Sequence, residues 1–219
     1  MNILLLSASP NKEKGNTFRL AQGVLEGCAG REDVRTEVVQ LADCDIGFCR
    51  SLERCHEKAM DCPIRDDVPG ILRKMLAADG IVLATPNYID HVAASLKALF
   101  DRSSHFIHCR RLLGKYVAAA VSSGSGVDRK VLAYLKHYCL VCGAQFTGGV
   151  SSAARSVEEK GPEAVRLGRK LVSDIRKKKI YPRQAAAIEE SEKRFAAIIR
   201  ARKDEWKDEY RYWSEKGWL

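Results

Sequence analysis

Residues 3–17 read ILLLSASPNKEKGNT, an apolar run followed at once by a loop of small, polar and glycine residues. A run of this length and bulk is typical of a strand buried on both faces, as in a parallel sheet with helices on either side. In this segment Ser7, Ser9 and Thr17 offer hydroxyl groups and Asn16 offers an amide. A helix that begins near Asn16 adds free N–H groups and a positive dipole end. The segment predicts a site for one phosphate group, although it also fits an ordinary turn with Asn16 as helix cap.

Two later segments repeat this order of strand, loop and helix. Residues 80–84 (GIVLA) run into TPNYIDH and then a helix, and residues 116–121 (YVAAAV) run into SSGSG and then a helix. In an open parallel sheet, the carboxyl ends of such strands lie at one edge, where the strand order reverses and ligands bind. The three loops are therefore expected to form one site.

The same alternation along the whole chain predicts a doubly wound α/β domain. Strands are expected near residues 2–7, 35–41, 80–84, 116–121 and 145–150. Helices are expected near residues 16–29, 67–78, 92–104, 127–142 and 162–178. The prediction is a three-layer sandwich over residues 1–180, with a five-stranded parallel sheet in the order 2-1-3-4-5, and a helical C-terminal tail over residues 181–219.

Large apolar groups recur along the tail at steps of three or four residues, with Arg202 in the same series. They are Phe195, Ile199, Trp206, Tyr210 and Trp213. Such a stripe on one face of a helix must be covered. It fits packing on its own domain, and it also fits a clasp around a second subunit, which we favour because aromatic anchors suit interfaces.

The composition indicates a globular chain with a sizeable core, since 46% of its 219 residues are hydrophobic. No apolar run approaches the roughly 20 residues of a membrane-spanning helix, and no basic leader precedes the first strand, so we expect a cytoplasmic protein without membrane contact. The net charge of +9 favours anionic small molecules as partners. Acidic residues interrupt the basic ones, which argues against nucleic acid as a partner.

Three motifs in the loops and their flanks carry a resemblance to a known family. They are Ser-Pro-x4-Gly-Asn-Thr over residues 9–17, Pro-x-Tyr ahead of Leu-Lys-x-Leu-x-Asp-Arg over residues 86–102, and Gly-Lys ahead of a strand ending in Ser-Ser-Gly-Ser-Gly over residues 114–126. Over about residues 1–178 the chain resembles the flavodoxin-like NAD(P)H-dependent FMN reductases, in particular their iron–sulfur flavoprotein branch. The resemblance implies a flavodoxin-like fold with FMN at the three loops.

The resemblance assigns a part of FMN to each loop. The phosphate falls to the first loop, the flank of the isoalloxazine ring to the second, and the pyrimidine side of the ring to the third. The residues implied are Ser9, Asn16 and Thr17; Pro86, Asn87, Tyr88 and Ile89; and Ser123, Gly124 and Gly126. The family commonly has Gly-Ser-Pro-Arg where this chain has Ala-Ser-Pro-Asn at residues 8–11, so an arginine near the phosphate is missing and Lys12 or Lys14 is left to replace its charge.

The resemblance also implies an enzyme in which NAD(P)H, as co-substrate, reduces bound FMN, and the flavin passes electrons to a small acceptor such as a quinone, a free flavin, an aromatic compound or a metal centre. No catalytic acid or nucleophile is assigned, because the flavin carries the chemistry and the protein supplies binding and orientation. A homodimer or homotetramer is expected. Two alternatives stay open: an electron-transfer protein of the iron–sulfur flavoprotein type, and a flavodoxin-like adaptor without turnover.

Four of the eight cysteines, Cys44, Cys49, Cys55 and Cys62, fall within 19 residues. The iron–sulfur flavoproteins are similar here through Cys-x2-Cys-x2-Cys-x4–7-Cys followed by Asp-Asp. Cys49, Cys55 and Cys62 match the first, third and fourth cluster ligands, and Leu52 stands in place of the second. An iron–sulfur cluster, a redox-active or structural thiol set and inert thiols all fit this pattern. Because one ligand is missing, we assign no metal ligand and expect little iron or sulfide in protein purified in air.

Overall fold

The computed structural model of the chain describes residues 1–29 and 33–219. Five strands form one parallel sheet in the order β2-β1-β3-β4-β5. The strands are β1 (Asn2–Ser7), β2 (Arg35–Gln40), β3 (Gly80–Pro86), β4 (Tyr116–Ser123) and β5 (Gln145–Ala153). The predicted α/β class and strand order are confirmed.

The helices lie between and after these strands. They are α1 (Asn16–Ala29), α2 (Arg54–Glu57), α3 (Val68–Ala77), α4 (Ala94–Asp101), α5 (Ser104–His108), α6 (Arg129–Val141), α7 (Val157–Arg176), α8 (Pro182–Ala201) and α9 (Lys207–Glu215). The helix expected over residues 92–104 is shorter, because the chain leaves it at Arg102, whose side chain is buried. α7 begins at Val157 rather than at Pro162, because Val157 is buried in the core and anchors that first turn. None of the described helices combines the length and the apolar content that crossing a membrane requires.

The sheet separates two apolar cores, because successive side chains of a strand point to opposite faces. On β1, Leu4 and Leu6 enter the core that contains α3, α4 and α6. Ile3 and Leu5 enter the core that contains α1 and α7. All four side chains are buried, so β1 has the two-sided burial that its apolar run predicted.

The C-terminal helices pack on the chain itself. A third apolar cluster is formed by Phe195, Ile199, Trp206 and Trp213 together with Cys109, which follows α5. The indole N–H of Trp213 donates to the carbonyl of His108 at 3.1 Å. The favoured clasp around a second subunit is therefore wrong for this stripe, which the chain covers by itself. The tail breaks into two helices between residues 201 and 207, so both halves of the stripe reach the same cluster.

Candidate functional site

The loops that follow β1, β3 and β4 meet at the carboxyl edge of the sheet. The register pairs Pro86 on β3 with Ser122 on β4. Two contacts then join the loops: Thr17 Oγ1 lies 2.6 Å from Ser122 Oγ, and the N–H of Asn87 donates to the carbonyl of Ser122 at 2.8 Å. Ser122 therefore contacts both of the other loops, and the three form one continuous surface.

The first loop buries two hydroxyl groups and leads directly into the first turn of α1. Ser9 and Thr17 are buried, and Asn16 is half-buried. Gly15 lets the loop approach Ser9 closely, because a Cβ there would lie 2.0 Å from Ser9 Oγ and the hydroxyl would have to rotate away. The first N–H groups of α1 have no acceptor within the helix, so they are available to an anion.

Of the two lysines that could replace the missing arginine, one is engaged elsewhere. Lys12 forms an ion pair with Asp43, and hydrogen bonding to that carboxylate raises the pKa of Lys12 above its usual value. Lys14 is exposed at the end of a short 3-10 turn that leads into Gly15. Hydroxyls, an amide and the helix start are therefore the main donors here, and Lys14 is the nearby cation that remains.

The second loop forms a tight hairpin with two exposed apolar side chains at its tip. Tyr88 and His91 exchange backbone hydrogen bonds of 3.0 and 3.1 Å, and Ile89 and Asp90 make the turn with φ angles of 53° and 60°. A β-branched residue such as Ile89 is strained in this conformation. Ile89 is fully exposed and Tyr88 is 52% exposed, whereas Pro86 is buried. The loop thus presents apolar groups that a ligand or a second protein surface could cover.

The third loop is tied to the second. Gly126 has a φ angle of 76° and donates its N–H to Ser123 Oγ at 2.7 Å, and Gly124 is exposed. The side-chain amide of Asn87 donates to Asp128 Oδ1 at 2.9 Å and so bridges the two loops. Asn87 Oδ1 and Asp128 Oδ2 are buried without a hydrogen-bond partner among the described residues. These two acceptors can take a donor from a ligand or from water.

Three cysteines meet in a cavity that these loops do not line. This cysteine cavity, of about 370 Å³, is lined by residues 49–56 and 62–64, by residues 101, 102, 104 and 108, and by Trp206 of the tail. Cys49, Cys55 and Cys62 all line it. Cys44 does not, and its thiol donates to the carbonyl of Gln40 at 3.4 Å. The structure therefore brings together the three cysteines that match cluster ligands and leaves the fourth aside.

Arg102 places a buried positive charge at this cavity. Its guanidinium donates to Asp66 at 2.6 Å, to the carbonyl of Gly47 at 2.9 Å and to the sulfur of Cys62 at 3.3 Å. Burial acts to raise the pKa of Asp66, but hydrogen bonds from Arg102 and from the Gly47 N–H outweigh it and hold this pKa below its usual value. The pair therefore stays ionised, and Cys62 lies against a fixed cation.

Behind Cys55 lies a buried carboxylate that two histidines share. Glu209 accepts from Nδ1 of His56 at 2.6 Å and from Nδ1 of His108 at 3.0 Å. Both imidazoles lie against the indole of Trp206, with ring centroids 4.6 and 4.7 Å away. Burial acts to lower the pKa of His56, but hydrogen bonds with Cys55 and Glu209 outweigh it and raise the pKa to about 10. Burial acts to raise the pKa of Cys55, but its hydrogen bond with His56 brings that pKa below its usual value.

Sequence reasoning did not find Arg102 and Glu209 as parts of this cavity. Arg102 ends the motif Leu-Lys-x-Leu-x-Asp-Arg, and its partner Asp66 belongs to the Asp-Asp pair that follows Cys62, so both had a signal in the sequence. Glu209 lies 153 residues from His56 in a tail of alternating charges. No local pattern marked it.

Comparisons with known proteins show which family the chain is similar to. The chain matches the family model described as NADPH-dependent FMN reductase over residues 1–159. An iron–sulfur flavoprotein of Methanocaldococcus jannaschii is 34% identical over 192 residues, which cover 80% of this chain and 98% of that protein. An iron–sulfur flavoprotein of Methanosarcina thermophila is 30% identical over 181 residues, which cover 81% of this chain and 93% of that protein.

Solved structures share the fold. The NAD(P)H:quinone oxidoreductase from Methanothermobacter marburgensis has a TM-score of 0.59 at 19% identity, with 78% of this chain and 96% of that chain covered. The flavodoxin, WrbA-like protein from Agrobacterium tumefaciens has a TM-score of 0.54 at 18% identity, with 81% and 99% covered. These likenesses concern the fold alone, and they identify it as flavodoxin-like.

Proposed function

The chain belongs to the NADPH-dependent FMN reductase family, in its iron–sulfur flavoprotein branch, and we propose that it transfers electrons from NAD(P)H through bound FMN to a small acceptor. As a member of that family it is a flavin-dependent oxidoreductase. The observation that carries the finer proposal is the meeting of three loops, rich in small and hydrogen-bonding residues, at one edge of the sheet. The acceptor would be a quinone, a free flavin, an aromatic compound or a metal centre.

The phosphate of FMN is assigned to the first loop. Ser9 and Thr17 offer hydroxyls and Asn16 offers an amide. The first turn of α1 adds its free N–H groups and the positive end of the helix dipole. Because Lys12 is paired with Asp43, neutral donors and the dipole would supply most of the affinity for the phosphate.

The isoalloxazine ring is assigned to the other two loops. Its flank would lie along Pro86, Asn87, Tyr88 and Ile89, and its pyrimidine side along Ser123, Gly124 and Gly126. The unpartnered oxygens of Asn87 and Asp128 support this assignment, because FMN brings an N3–H group and ribityl hydroxyls as donors. Bound FMN would supply the hydride chemistry. The glycine-rich loop would supply backbone N–H donors, which stabilise negative charge without a titrating side chain.

The exposed tip of the second loop supports a subunit interface beside the ring. Tyr88 and Ile89 remain in water in the single chain, and the turn that holds Ile89 is strained. A second copy of the chain that covers this tip would also shield the ring from solvent. We therefore propose a homodimer or homotetramer as the active form, with NAD(P)H drawn to a chain whose net charge is +9.

Flavin binding and reduction test this function. Purified protein is titrated with FMN, and the complex is mixed anaerobically with NADH or NADPH while the absorbance of the oxidised flavin is followed. Bleaching by either nucleotide, and its reversal by a quinone, supports the proposal. A protein that stays colourless after reconstitution with FMN would contradict it and would favour the adaptor without turnover. A bound flavin that neither nucleotide reduces would remove NAD(P)H as the electron donor.

A further inference from the structure

We propose that the cysteine cavity binds an iron–sulfur cluster through three thiolates only, those of Cys49, Cys55 and Cys62, so that one iron lacks a protein ligand. A cubane cluster takes one thiolate for each of its irons. The missing position in the pattern of four cysteines is Leu52, whose side chain lines the same cavity. The iron that faces Leu52 therefore has an open coordination position, which water or another small oxygen or nitrogen ligand fills.

The lining of the cysteine cavity suits a cluster better than a single metal ion. A zinc ion holds its thiolates at about 2.3 Å in a tetrahedron, so the ligand sulfurs lie roughly 4 Å apart. Within the described part of the chain, the residues whose ligand atoms converge as for a single ion, all within 4.8 Å of one another, are His56, His108 and Glu209, a group without a cysteine. A cluster of several irons spreads its thiolates more widely, and the cavity of about 370 Å³ has room for one.

The polar groups around the cavity suit thiolates. The arginines that line it are Arg50, Arg54 and Arg102, and the carboxylates are Glu53 and Asp101. Arg102 donates to the sulfur of Cys62 at 3.3 Å, and Ser104 Oγ lies 3.7 Å from the sulfur of Cys55. Hydrogen bonds and nearby cations of this kind stabilise thiolates and the negative charge of a cluster that they hold.

The two other candidate ligands near this loop are already engaged. The thiol of Cys44 donates to the carbonyl of Gln40, outside the lining of the cavity. His56 lines the cavity, but its Nδ1 is held by Glu209 at 2.6 Å and its ring is stacked on the indole of Trp206. Either group would have to leave these contacts to reach the fourth iron.

The backbone on both sides of Leu52 has an unusual conformation. Ser51 and Glu53 have φ angles of 50° and 54°, in the left-handed region that residues other than glycine seldom adopt. Leu52 is 46% exposed, so the packing of its own side chain does not account for this shape. Backbone strain of this kind is characteristic of functional sites, and here it bends the loop around the cavity.

The substitution Leu52→Cys tests the open position. Wild type and Leu52→Cys are reconstituted anaerobically with iron and sulfide, treated with ferricyanide, and analysed for iron, acid-labile sulfide and electron paramagnetic resonance. Ferricyanide takes one electron from the cluster, and an iron without a protein ligand then leaves as Fe²⁺. Wild type should bind about four irons and four sulfides per chain and lose about one iron, with a new resonance from the remaining cluster. Leu52→Cys should keep about four irons, because the added thiolate holds the fourth.

Two further variants keep the result interpretable. Cys44→Ser should behave as wild type, because Cys44 lies outside the cavity. Leu52→Ala should also lose one iron, because leucine is not a ligand, and it serves as the test if Leu52→Cys fails to fold. Folded wild type that binds no iron would overturn the proposal, and so would a wild-type cluster that keeps all its iron after oxidation. The flavin loops do not line this cavity, so a failure to bind FMN, read from its own absorbance, leaves the iron count unaffected.

Discussion

A hydrogen bond of 2.6 Å joins His56 to Glu209 across 153 residues of sequence. The neighbouring Asp208 accepts from the backbone N–H of Ala59 at 2.8 Å, and Glu209 also accepts from His108 at 3.0 Å. α9 is thereby attached both to the segment that carries the cysteines and to α5. The C-terminal tail thus forms the wall behind the cysteine cavity, and its stability and that of the cysteine segment are coupled.

Replacement of Glu209 by Gln removes the charge from this contact. We expect the free energy of unfolding to fall by about 2–3 kcal/mol, because a hydrogen bond to a charged group contributes roughly 1.5–3 kcal/mol and the amide can serve only one imidazole well. Urea unfolding followed by circular dichroism measures it. Glu205→Gln is the control: its pair with Arg202 is exposed, so the change should stay within about 0.5 kcal/mol. Equal effects of the two substitutions would show that the buried contact adds nothing.

A double variant at the start of α1 tests the phosphate assignment. Thr17→Ala with Asn16→Leu removes a hydroxyl and an amide, and we expect FMN affinity to fall by about 3 kcal/mol or more, since charge-assisted hydrogen bonds contribute roughly 1.5–3 kcal/mol each. Titration with riboflavin, which lacks the phosphate, is the matched control and should give the same affinity in both proteins. Unchanged FMN binding, or an equal loss for riboflavin, would place the phosphate elsewhere.

The features that the sequence could predict are those with local signals. The apolar run of β1 and the small residues after each strand were sufficient for the fold class and for the edge where the three loops meet. The break after α4 was not predictable, because Arg102 turns inward to Asp66, a partner 36 residues away. Periodicity likewise shows that a helix has an apolar face but not what covers it, so the stripe ending at Trp213 was assigned to a second subunit. Glu209 was missed because its partners His56 and His108 lie 153 and 101 residues away in the sequence, and no local pattern connects them.

His105 predicts a loss of stability in mild acid. It is buried beside Met60, and burial lowers its pKa to about 4, against about 6.5 in an unfolded chain. Below pH 6.5 the unfolded state therefore binds a proton that the folded state excludes, and stability falls with pH until about pH 4. Between about pH 7 and pH 5, wild type should lose about 2 kcal/mol more than His105→Gln in urea unfolding. Other groups titrate in both proteins and cancel, so parallel pH dependences would contradict the burial of a neutral imidazole.

Replacement of Trp213 in the C-terminal tail should lower the free energy of unfolding and leave the subunit association unchanged. Trp213 is fully buried in the chain's own cluster, so Trp213→Ala should cost about 3–5 kcal/mol in the free energy of unfolding. Truncation before Pro182 should remove the tail's part of this cluster, expose the apolar surface around Cys109 and cause aggregation. Lys207→Ala, at an exposed position of α9, should change stability by less than about 0.5 kcal/mol. If Trp213→Ala instead keeps its stability and dissociates into single chains, the apolar stripe lies at a subunit interface.

The exposed tip of the second loop should control subunit association. If a second copy covers Tyr88 and Ile89, the double variant Tyr88→Ser with Ile89→Ser should weaken subunit association by at least about 10-fold, because a buried aromatic anchor is commonly worth about 2 kcal/mol or more. The stability of the isolated chain should change little, since both side chains are exposed in it. Sedimentation velocity at micromolar concentration measures the association, and FMN titration of the same samples reports whether the ring loses its cover.

Leu113 provides the matched control for that variant. It is 47% exposed, close to Tyr88 at 52%, but it precedes β4 and so lies at the opposite edge of the parallel sheet from the three loops. Leu113→Ser should therefore leave both the association and the FMN affinity as in wild type. If both variants dissociate equally, general surface polarity and not the tip controls association. A wild type that sediments as a single chain with FMN bound would contradict the proposed interface, because the tip and the ring would then be complete in one subunit.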